Sequence, residues 1–416
     1  MIAWLTVDSA SAEVKAFLGA RIVDGTGATP ISSGVLVIED GRVKSVGPSS
    51  RVQIPAEAQR IDVSGKTIVP GLINSHGHVG ETQGLRSGSE FYTQENLLRQ
   101  LSLYARYGVT SVFSLGGDGE QGFRLRNEQE TPTLKRARLY VAGPVITAKT
   151  PEEARAAVDR VAAMKPNFVK IRVDDNLGTT AKMPPEVYKA VIDQSRKHNL
   201  SVAAHMFYLD DARRLLESGA GLLAHSVRDK EIDNDTIALL KKRNVCVCPT
   251  LTREISTFVY ESKPAFFDDP FFLREADSKV LSELQEPKRM EAMRNSTSAQ
   301  RYKVALEVAS RNLKKLVDSG VRIAMGTDTG PPARFQGYFE HMELDLMAKA
   351  GLTPMQILKA ASGDAATCMQ VSGKIGTLQP GAWADIIVLD RNPLDDIKYM
   401  RAISSVWIAG NQVASR

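Results

Sequence analysis

Eight short apolar runs alternate with helical segments between residues 67 and 325, and this alternation limits the possible fold more than any other feature. Runs of this kind are typical of parallel strands that are buried on both faces of a sheet. The pattern predicts an α/β fold, a (β/α)8 TIM barrel. An open doubly wound sheet is the alternative, because periodicity alone does not separate the two. The candidate strands are 67–73, 110–113, 137–141, 168–171, 201–204, 221–224, 245–248 and 322–325.

The two ends of the chain have a different sequence pattern, which predicts short strands and tight turns instead of helices. Asp24-Gly25 and Asp40-Gly41 each stand between strand-like runs, and an Asp-Gly step in that position favours a hairpin. Neither end is long enough to close a sheet alone. We therefore expect residues 1–70 and 371–416 to form one discontinuous β-sandwich domain, and residues 71–370 to form the barrel domain.

A long segment after the seventh apolar run interrupts the regular alternation of strands and helices. Residues 258–299 contain Phe266, Phe267, Phe271 and Phe272, followed by a charged helical stretch. Long segments of this kind in compact domains are usually functional or disordered. We interpret 258–299 as a candidate lid, with a packing insertion as the alternative.

The composition excludes several classes of protein. Apolar residues make up 43% of the chain and charged residues 24%, which is typical of soluble globular proteins. The net charge is +5, and the charges are interspersed, so no nucleic-acid groove is expected. No segment approaches the roughly 18 consecutive apolar residues of a membrane-spanning helix. The expected partner is a small-molecule substrate, and a homo-oligomer is compatible with the sequence.

Cysteine usage and the start of the chain bear on the cellular compartment. The three cysteines are too few, and odd in number, for a disulfide framework. Cys246 and Cys248 alternate within a strand-like run, so we expect them to be core thiols. Residues 1–7 are apolar but short and lack basic residues, although Ala10-Ser11-Ala12 resembles a signal-peptidase site. We expect a cytoplasmic protein, with export as the alternative.

The residues with useful chemistry fall at one kind of position, the carboxyl end of a candidate strand. The first strand ends in His76-Gly77-His78, whose two imidazoles point to the same side of an extended chain. The others, on the fourth, fifth, sixth and eighth strands, are Lys170, His205, His225 and Asp328. Alone, each has an ordinary structural explanation, although a buried lysine needs a partner or a modification. Four of the chain's six histidines share this position, where barrel active sites lie, so we expect one site.

These six residues resemble the pattern of the amidohydrolase superfamily, binuclear-metal type. That pattern has His-X-His on the first strand, lysine on the fourth, histidines on the fifth and sixth and aspartate on the eighth. The resemblance covers nearly the whole chain, including Gly65 to Ile73 before the histidine pair and Gly376 to Asp390 near the end. Residues 168–171 and 341–354 most resemble the imidazolonepropionase-related branch, which includes prolidase-like (Xaa-Pro) and Xaa-Arg/Lys carboxypeptidase-like enzymes.

The resemblance implies a centre of two divalent metal ions. By this analogy His76, His78 and Asp328 hold the first ion, and His205 and His225 hold the second. Lys170, carbamylated by CO2, bridges the two ions. Imidazole and carboxylate ligands suit zinc, with manganese, iron and cobalt as alternatives. The analogy further implies that a metal-bridging hydroxide attacks the scissile carbonyl, while Asp328 acts as general base and then general acid.

Four further residues are candidates for contact with the substrate. Arg172 lies two residues beyond Lys170 on the same strand face, where its guanidinium can receive a carboxylate; an ion pair with Asp174 or Asp175 is the alternative. Tyr208 and Arg228 follow the histidines of the fifth and sixth strands. His341 fits a substrate contact or a structural hydrogen bond equally well. The remaining histidine, His198, lies at a helix end, where a structural role is expected.

The predicted function is metal-dependent hydrolysis of a C–N bond in a small amide. A dipeptide or N-acyl amino acid is favoured, with release of its C-terminal amino acid, as in a dipeptidase or carboxypeptidase. A cyclic amide, urea, carbamate or ester could be attacked on the same site. A mononuclear deaminase is a second alternative, disfavoured by Lys170 and by the absence of an acidic residue just after His205. A non-enzymatic barrel is a third, disfavoured because no ligand position is missing.

Overall fold

The structure is a computed structural model that describes residues 13–414. The apolar start and Ala10-Ser11-Ala12, on which the expectations about export depend, lie outside the described residues. Within residues 13–414, no helix has the length and apolar character needed to cross a membrane.

Strands and helices cover most of the described chain. The strands are β1 Val14–Ile22, β2 Ile31–Glu39, β3 Arg42–Pro48, β4 Gln59–Asp62, β5 Thr67–Pro70, β6 Leu72–Gly77, β7 Thr82–Gln83, β8 Arg86–Ser87, β9 Val109–Ser114, β10 Arg138–Val141, β11 Val169–Arg172, β12 Val202–His205, β13 Leu222–Leu223, β14 Cys246–Val247, β15 Ile386–Leu389, β16 Ile403–Ile408 and β17 Asn411–Gln412. The α-helices are α1 Gln94–Arg106, α2 Glu120–Asn127, α3 Pro151–Ala163, α4 Pro185–Lys197, α5 Leu209–Ser218, α6 Asn234–Arg243, α7 Leu251–Ile255, α8 Pro270–Leu273, α9 Ser278–Leu284, α10 Pro287–Arg294, α11 Thr297–Asp318, α12 Tyr338–Lys349, α13 Pro354–Ala360 and α14 Gly363–Cys368. Short 3-10 turns occur at Ser89–Phe91, Val259–Glu261, Ala265–Asp268 and Ile397–Arg401.

Both ends of the chain contribute to one eight-stranded sheet, in the order β17-β16-β15-β5-β1-β2-β3 with β4 beside β1. The two ends meet where β5 pairs antiparallel with β15. Successive side chains of a strand point to opposite faces, and this sheet buries apolar residues on both. Phe17 and Leu36 belong to one apolar cluster, whereas Ala16 and Val35 belong to another. A β-sheet domain built from both termini is therefore present.

The central part is a mixed α/β region whose strands run parallel. Three strands form a sheet in the order β10-β9-β6, and four form a sheet in the order β11-β12-β13-β14. Isolated parallel bridges connect the edges of these sheets, directly and through the segment 323–329. They join Ile146 to Ile171, Val247 to Ile323, and Gly77 to Thr329.

The first candidate strand, 67–73, is divided in two, so its prediction as one element was wrong. β5 belongs to the terminal sheet, whereas β6 pairs with β9 in the parallel sheet. Gly71 stands between them and donates its N–H to the carbonyl of Asp385. A side chain at Gly71 would collide with Thr110, so only glycine lets the chain pass from one sheet to the other at this point.

The insertion 258–299 is largely helical and packs against the rest of the chain. Its aromatic residues Tyr260, Phe267 and Phe272 are buried in a cluster that includes Tyr107 and Tyr338. The hydroxyl of Tyr107 donates to the carbonyls of Phe271 and Phe272, at 3.1 and 3.2 Å. These contacts tie the insertion to the end of α1 and the start of α12. Its movement as a lid stays a prediction.

Two of the three cysteines are paired, so the expectation of free core thiols was wrong for Cys246. Cys246 in β14 forms a disulfide with Cys368 at the end of α14, 122 residues away in sequence. Cys248 is free and buried, as expected. The spacing between cysteines does not reveal which of them the fold brings together, because the pairing depends on where α14 packs.

We expect removal of this disulfide to lower the free energy of unfolding by about 3–5 kcal/mol, because it closes a long loop in the unfolded chain. Urea unfolding of the wild type and of Cys246→Ser/Cys368→Ser measures the difference. Added reductant should shift the wild-type midpoint and leave that of the double variant unchanged. Thiol titration of the unfolded, unreduced protein should find one free thiol per chain; three would contradict the pairing.

Candidate metal centre

His76, His78 and Asp328 bring three ligand atoms together at the carboxyl end of β6. Nε2 of His78 lies 2.9 Å from Oδ1 of Asp328, and Nε2 of His76 lies 3.5 Å from the same oxygen. All three ligand atoms lie within 4.8 Å of one another, which is compact enough to hold one metal ion. His76 and Asp328 are buried, and His78 is partly buried.

Lys170, His205 and His225 lie beside this group. Nζ of Lys170, at the centre of β11, lies 3.0 Å from Nε2 of His76. Nδ1 of His205 and Nε2 of His225 lie 2.7 Å apart, and the rings of His76 and His225 have centroids 4.7 Å apart. The structure thus brings all six predicted metal-site residues into one contiguous cluster.

In each of the four histidines, the ring nitrogen that faces away from the cluster has a fixed partner. Nδ1 of His76 donates to the carbonyl of Ala224 at 2.8 Å, and Nδ1 of His78 donates to the carbonyl of Gly116 at 3.1 Å. Outer partners of this kind set the tautomer and orientation of metal-binding imidazoles. The other two contacts are His225 Nδ1 to Thr250 Oγ1 at 2.6 Å and His205 Nε2 to Asp174 Oδ2 at 2.7 Å.

Burial keeps the imidazoles of His76, His205 and His225 in the neutral form that a metal ion requires. It lowers the pKa of His205 to about 3, and it lowers the pKa of His76 and of His225 well below the ordinary value. The inner nitrogens of His205 and His225 face each other at 2.7 Å, and Nδ1 of His205 presents a lone pair because its Nε2 donates to Asp174. Two neutral imidazoles side by side in a buried site are donors that suit a metal ion.

The pKa values of Lys170 and Asp328 are both lowered, but by different causes. Lys170 is 3% exposed, and burial lowers the pKa of its amine to about 8. Burial alone would raise the pKa of Asp328, but Arg334, together with His76 and His78, holds it well below the ordinary value. The cluster therefore contains an amine that loses its proton readily and a carboxylate that keeps its negative charge.

Two residues at the site have backbone conformations that ordinary side chains rarely adopt. Thr250 has φ of 50° and Asp328 has φ of 59°. Left-handed conformations are unfavourable for residues with a Cβ, above all for β-branched ones, and they concentrate at functional sites. Here they turn Thr250 toward His225 and place Asp328 beside His76 and His78.

Arg172 and Tyr208, two predicted substrate contacts, have protein partners near the cluster. The guanidinium of Arg172 lies 3.2 Å from Oδ1 of Asp174, which is the ion pair considered as the alternative, and its side chain is 42% exposed. Tyr208 donates its hydroxyl to Asp175 at 2.8 Å. Arg172 is the last residue of β11, where it pairs with His205, and Tyr208 lies three residues beyond His205.

Arg228 and His341, the other two, occupy interior positions. Nε of the buried Arg228 lies 3.0 Å from Oε1 of Glu254. His341 is buried in the aromatic cluster, where Nε2 donates to the carbonyl of Tyr107 at 2.8 Å and the ring packs against Phe271. Of the two roles considered for His341, the structure shows the structural hydrogen bond. The ring also contacts the insertion 258–299 through Phe271.

Three residues beside the cluster were not proposed from the sequence as parts of the site. Asp174 and Thr250 contact histidines, and both follow strands at the same edge as the predicted residues, so position alone could have suggested them. Nη1 of Arg334 donates to Oδ2 of Asp328 at 2.6 Å. Arg334 lies in a loop without periodic pattern, so no sequence signal indicates its direction.

We expect Asp174→Asn to weaken metal binding about 10- to 100-fold, because loss of an outer partner loosens the orientation of the imidazole that it holds. Competition with a chelator of known affinity measures the change. The matched control is Asp159→Asn, because Asp159 lies 2.6 Å from Nε2 of His198 in an exposed pair away from the cluster. Equal metal affinities for the two variants would contradict the role given to Asp174.

The chain is similar to several known proteins. Residues 67–413 match the amidohydrolase family. The imidazolonepropionase of Geobacillus kaustophilus is 25% identical over 402 residues, which cover 86% of this chain and 84% of that protein. The ochratoxinase of Aspergillus niger is 27% identical over 285 residues, 65% of this chain and 51% of that protein. A crystal structure of a putative prolidase from Bifidobacterium longum superposes with a TM-score of 0.76 at 25% identity, covering 96% of this chain and 94% of the other. The predicted membership is confirmed: the chain belongs to the amidohydrolase family, whose members hydrolyse carbon–nitrogen bonds.

Proposed function

We propose that this enzyme hydrolyses the amide bond of a dipeptide or N-acyl amino acid and releases the C-terminal amino acid. The observation that carries the proposal is the convergence of four imidazoles, one buried lysine and one carboxylate, with every imidazole oriented by an outer partner. The similarity to a putative prolidase at 25% identity supports the choice of a peptide-like substrate.

The proposed scaffold is a (β/α)8 barrel, residues 71–370, beside a β-sandwich of residues 1–70 and 371–416. The bridges Ile146–Ile171, Val247–Ile323 and Gly77–Thr329 support the closure of the two parallel sheets into one ring. In such a barrel the carboxyl ends of the strands form the active-site face. The residues of the cluster lie at those ends, which supports this arrangement.

In this proposal the cluster holds two divalent metal ions. His76, His78 and Asp328 would bind one ion, His205 and His225 the other, and Lys170 both. Imidazole nitrogens with carboxylate oxygens are the donor set that zinc favours. When bound, the ions would polarise the scissile carbonyl and lower the pKa of water.

Lys170 takes part as a carbamate in this account. CO2 reacts with a neutral amine, and a pKa of about 8 leaves Lys170 with a substantial neutral fraction near pH 7.5. Its Nζ lies 3.0 Å from Nε2 of His76, a position where an ammonium group would repel a metal ion. Conversion to a carbamate replaces a buried positive charge with an anion that can bridge two cations.

Asp328 serves as the proton carrier. Its Oδ1 faces His76 and His78, whereas its Oδ2 is held by Arg334. A carboxylate fixed in this way can accept the proton of the attacking water at Oδ1 and deliver it to the leaving nitrogen.

The test is to incubate zinc-loaded protein with a library of dipeptides and N-acyl amino acids and to measure released amino acid. We expect cleavage of a subset, and loss of cleavage after chelation and in His205→Ala. His198→Ala is the matched control, because this histidine lies outside the cluster and should leave activity unchanged. Silence across the library with two metals bound per chain would reject the peptidase. Cyclic amides, ureas, carbamates and esters would then be assayed, cyclic amides first because of the similarity to imidazolonepropionase.

A further inference from the structure

Three arginines gather beside the metal cluster, and each follows a different strand of the central region. Arg228 comes after β13, Arg253 comes after β14 in α7, and Arg334 lies six residues beyond Asp328. Arg228 is 2% exposed and Arg253 is 6% exposed. The side chain of Arg334 is 17% exposed, so it is the one of the three that a ligand can reach most easily.

Within residues 13–414, two carboxylates form ion pairs with these three cations, and Asp174 adds a more distant attraction on Arg228. Glu254 is shared, because its Oε1 lies 3.0 Å from Nε of Arg228 and its Oε2 lies 3.1 Å from Nη1 of Arg253. Nη2 of Arg253 donates to the neutral hydroxyl of Tyr302 at 3.0 Å. Arg334 has Asp328 alone, which the proposed metal ion also uses. Buried charge without a partner is costly, so this surplus favours an anionic ligand.

The charges of these groups act on one another across the mouth of the site. The positive charges of Arg253 and Arg334 repel each other, while Asp328 and Glu254 attract Arg334. An anion placed between the two guanidinium groups would relieve that repulsion. A substrate carboxylate has the charge and the planar shape to do so.

The Nη2 group of Arg334 is available to donate a hydrogen bond, and the side chain lines a cavity. Its Nε donates to Oγ of Ser256 at 3.0 Å and its Nη1 donates to Asp328, whereas within residues 13–414 no hydrogen-bond partner of Nη2 is found. Arg334 lines a cavity of about 140 Å³ whose walls combine apolar residues with charged ones, namely Leu103, Phe272, Val280, Arg99, Glu275 and Asp277. A cavity of roughly 150 Å³ is large enough for a benzene ring.

We propose that Arg334, with Arg253 behind it, binds the carboxylate of the substrate, and that the adjacent cavity receives an apolar side chain of about phenyl size. This assignment rests on the proposed function, because it places the carboxylate beside the scissile amide at Asp328. The sequence suggested Arg172 as the residue that binds the carboxylate, but Arg172 already pairs with Asp174. The present assignment gives this role to Arg334 instead.

The test compares N-acetyl-L-phenylalanine with N-acetyl-L-phenylalaninamide by acetate release from zinc-loaded protein. The two probes differ only in the carboxylate. We expect the wild type to prefer the acid about 100-fold in kcat/KM, as one strong hydrogen bond between charged groups allows. Arg334→Met should lower kcat alike on both probes, because it removes the contact that holds Oδ2 of Asp328, and should raise KM by about a further 100-fold on the acid alone, with partial recovery in Arg334→Lys. Arg155→Met, an exposed arginine on α3, should leave both rates unchanged.

Other outcomes overturn the subsite in recognisable ways. Equal loss on both probes in Arg334→Met would mean that this arginine only positions Asp328. If Arg172→Met lost the preference for the acid over the amide and Arg334→Met kept it, the substrate carboxylate would bind at Arg172. No preference in the wild type would reject the subsite while the hydrolase stands.

Failure of the hydrolase itself is distinguishable from failure of the subsite. If the wild type cleaves neither probe, calorimetric titration of both probes into zinc-loaded protein still tests the anion site. Tighter binding of the acid, lost in Arg334→Met, would support the subsite without the proposed reaction. Equal binding of the two probes would overturn the subsite.

Discussion

Lys170→Ala should lose bound metal and amide hydrolysis together, with activity at least about 1,000-fold below the wild type, because the proposed Lys170 carbamate would hold both ions and its loss would leave neither ion held for catalysis. The structure supports this expectation through the position of Nζ, which lies 3.0 Å from Nε2 of His76 inside the cluster. Metal content by mass spectrometry and amino acid release measure the two losses in the same preparation.

Chemical rescue distinguishes a carbamate from a plain amine at this position. Bicarbonate should not restore the alanine variant, because no amine is left to modify. Propionate, a small carboxylate able to enter the space left by the side chain, should restore part of the metal binding. Lys189→Ala, which removes an exposed lysine of α4, is the control and should behave as the wild type. Full activity in Lys170→Ala would show that the bridging role is wrong.

Asp328→Asn should lower kcat for amide substrates by about 1,000-fold, because asparagine cannot accept the proton of the attacking water or deliver it to the leaving nitrogen. The same variant should be much less impaired on a nitrophenyl ester of an N-acyl amino acid, since a nitrophenolate leaves without a proton. Both substrates need a deprotonated water, so the ratio of the two losses isolates proton delivery to the leaving nitrogen.

The control for this variant is Asp364→Asn, an aspartate that pairs with Arg322 and Lys359 away from the cluster. It should leave both activities close to those of the wild type. Equal losses on amide and ester in Asp328→Asn, accompanied by loss of metal, would reduce Asp328 to a ligand without a role in proton transfer.

The six residues of the cluster could be grouped from the sequence because their signal is local. His76 and His78 lie on one side of a strand end, and Lys170, His205 and His225 lie within or just after short apolar runs, so position along each strand was enough to group them. Asp328 follows the same rule. The carboxyl ends of parallel strands lie at the same edge of a sheet, however the helices pack. The grouping of these residues therefore does not depend on the helix packing.

Features that depend on packing between distant segments could not be predicted. The disulfide between Cys246 and Cys368 requires the position of α14, and the break at Gly71 requires the close approach of Thr110. The buried environment of His341 depends on how the insertion packs, since its ring contacts Phe271. Residues far apart in sequence decide each of these, and no local pattern encodes them.

The number of metal ions per chain distinguishes a binuclear centre from a mononuclear one. Protein loaded with zinc and freed of excess metal by gel filtration should contain two ions per chain by mass spectrometry, with Lys170 carrying the added mass of CO2 under non-denaturing conditions. Two ions and a carbamate are the result that this account predicts. One ion per chain with unmodified Lys170 would contradict the binuclear centre and favour a mononuclear deaminase instead.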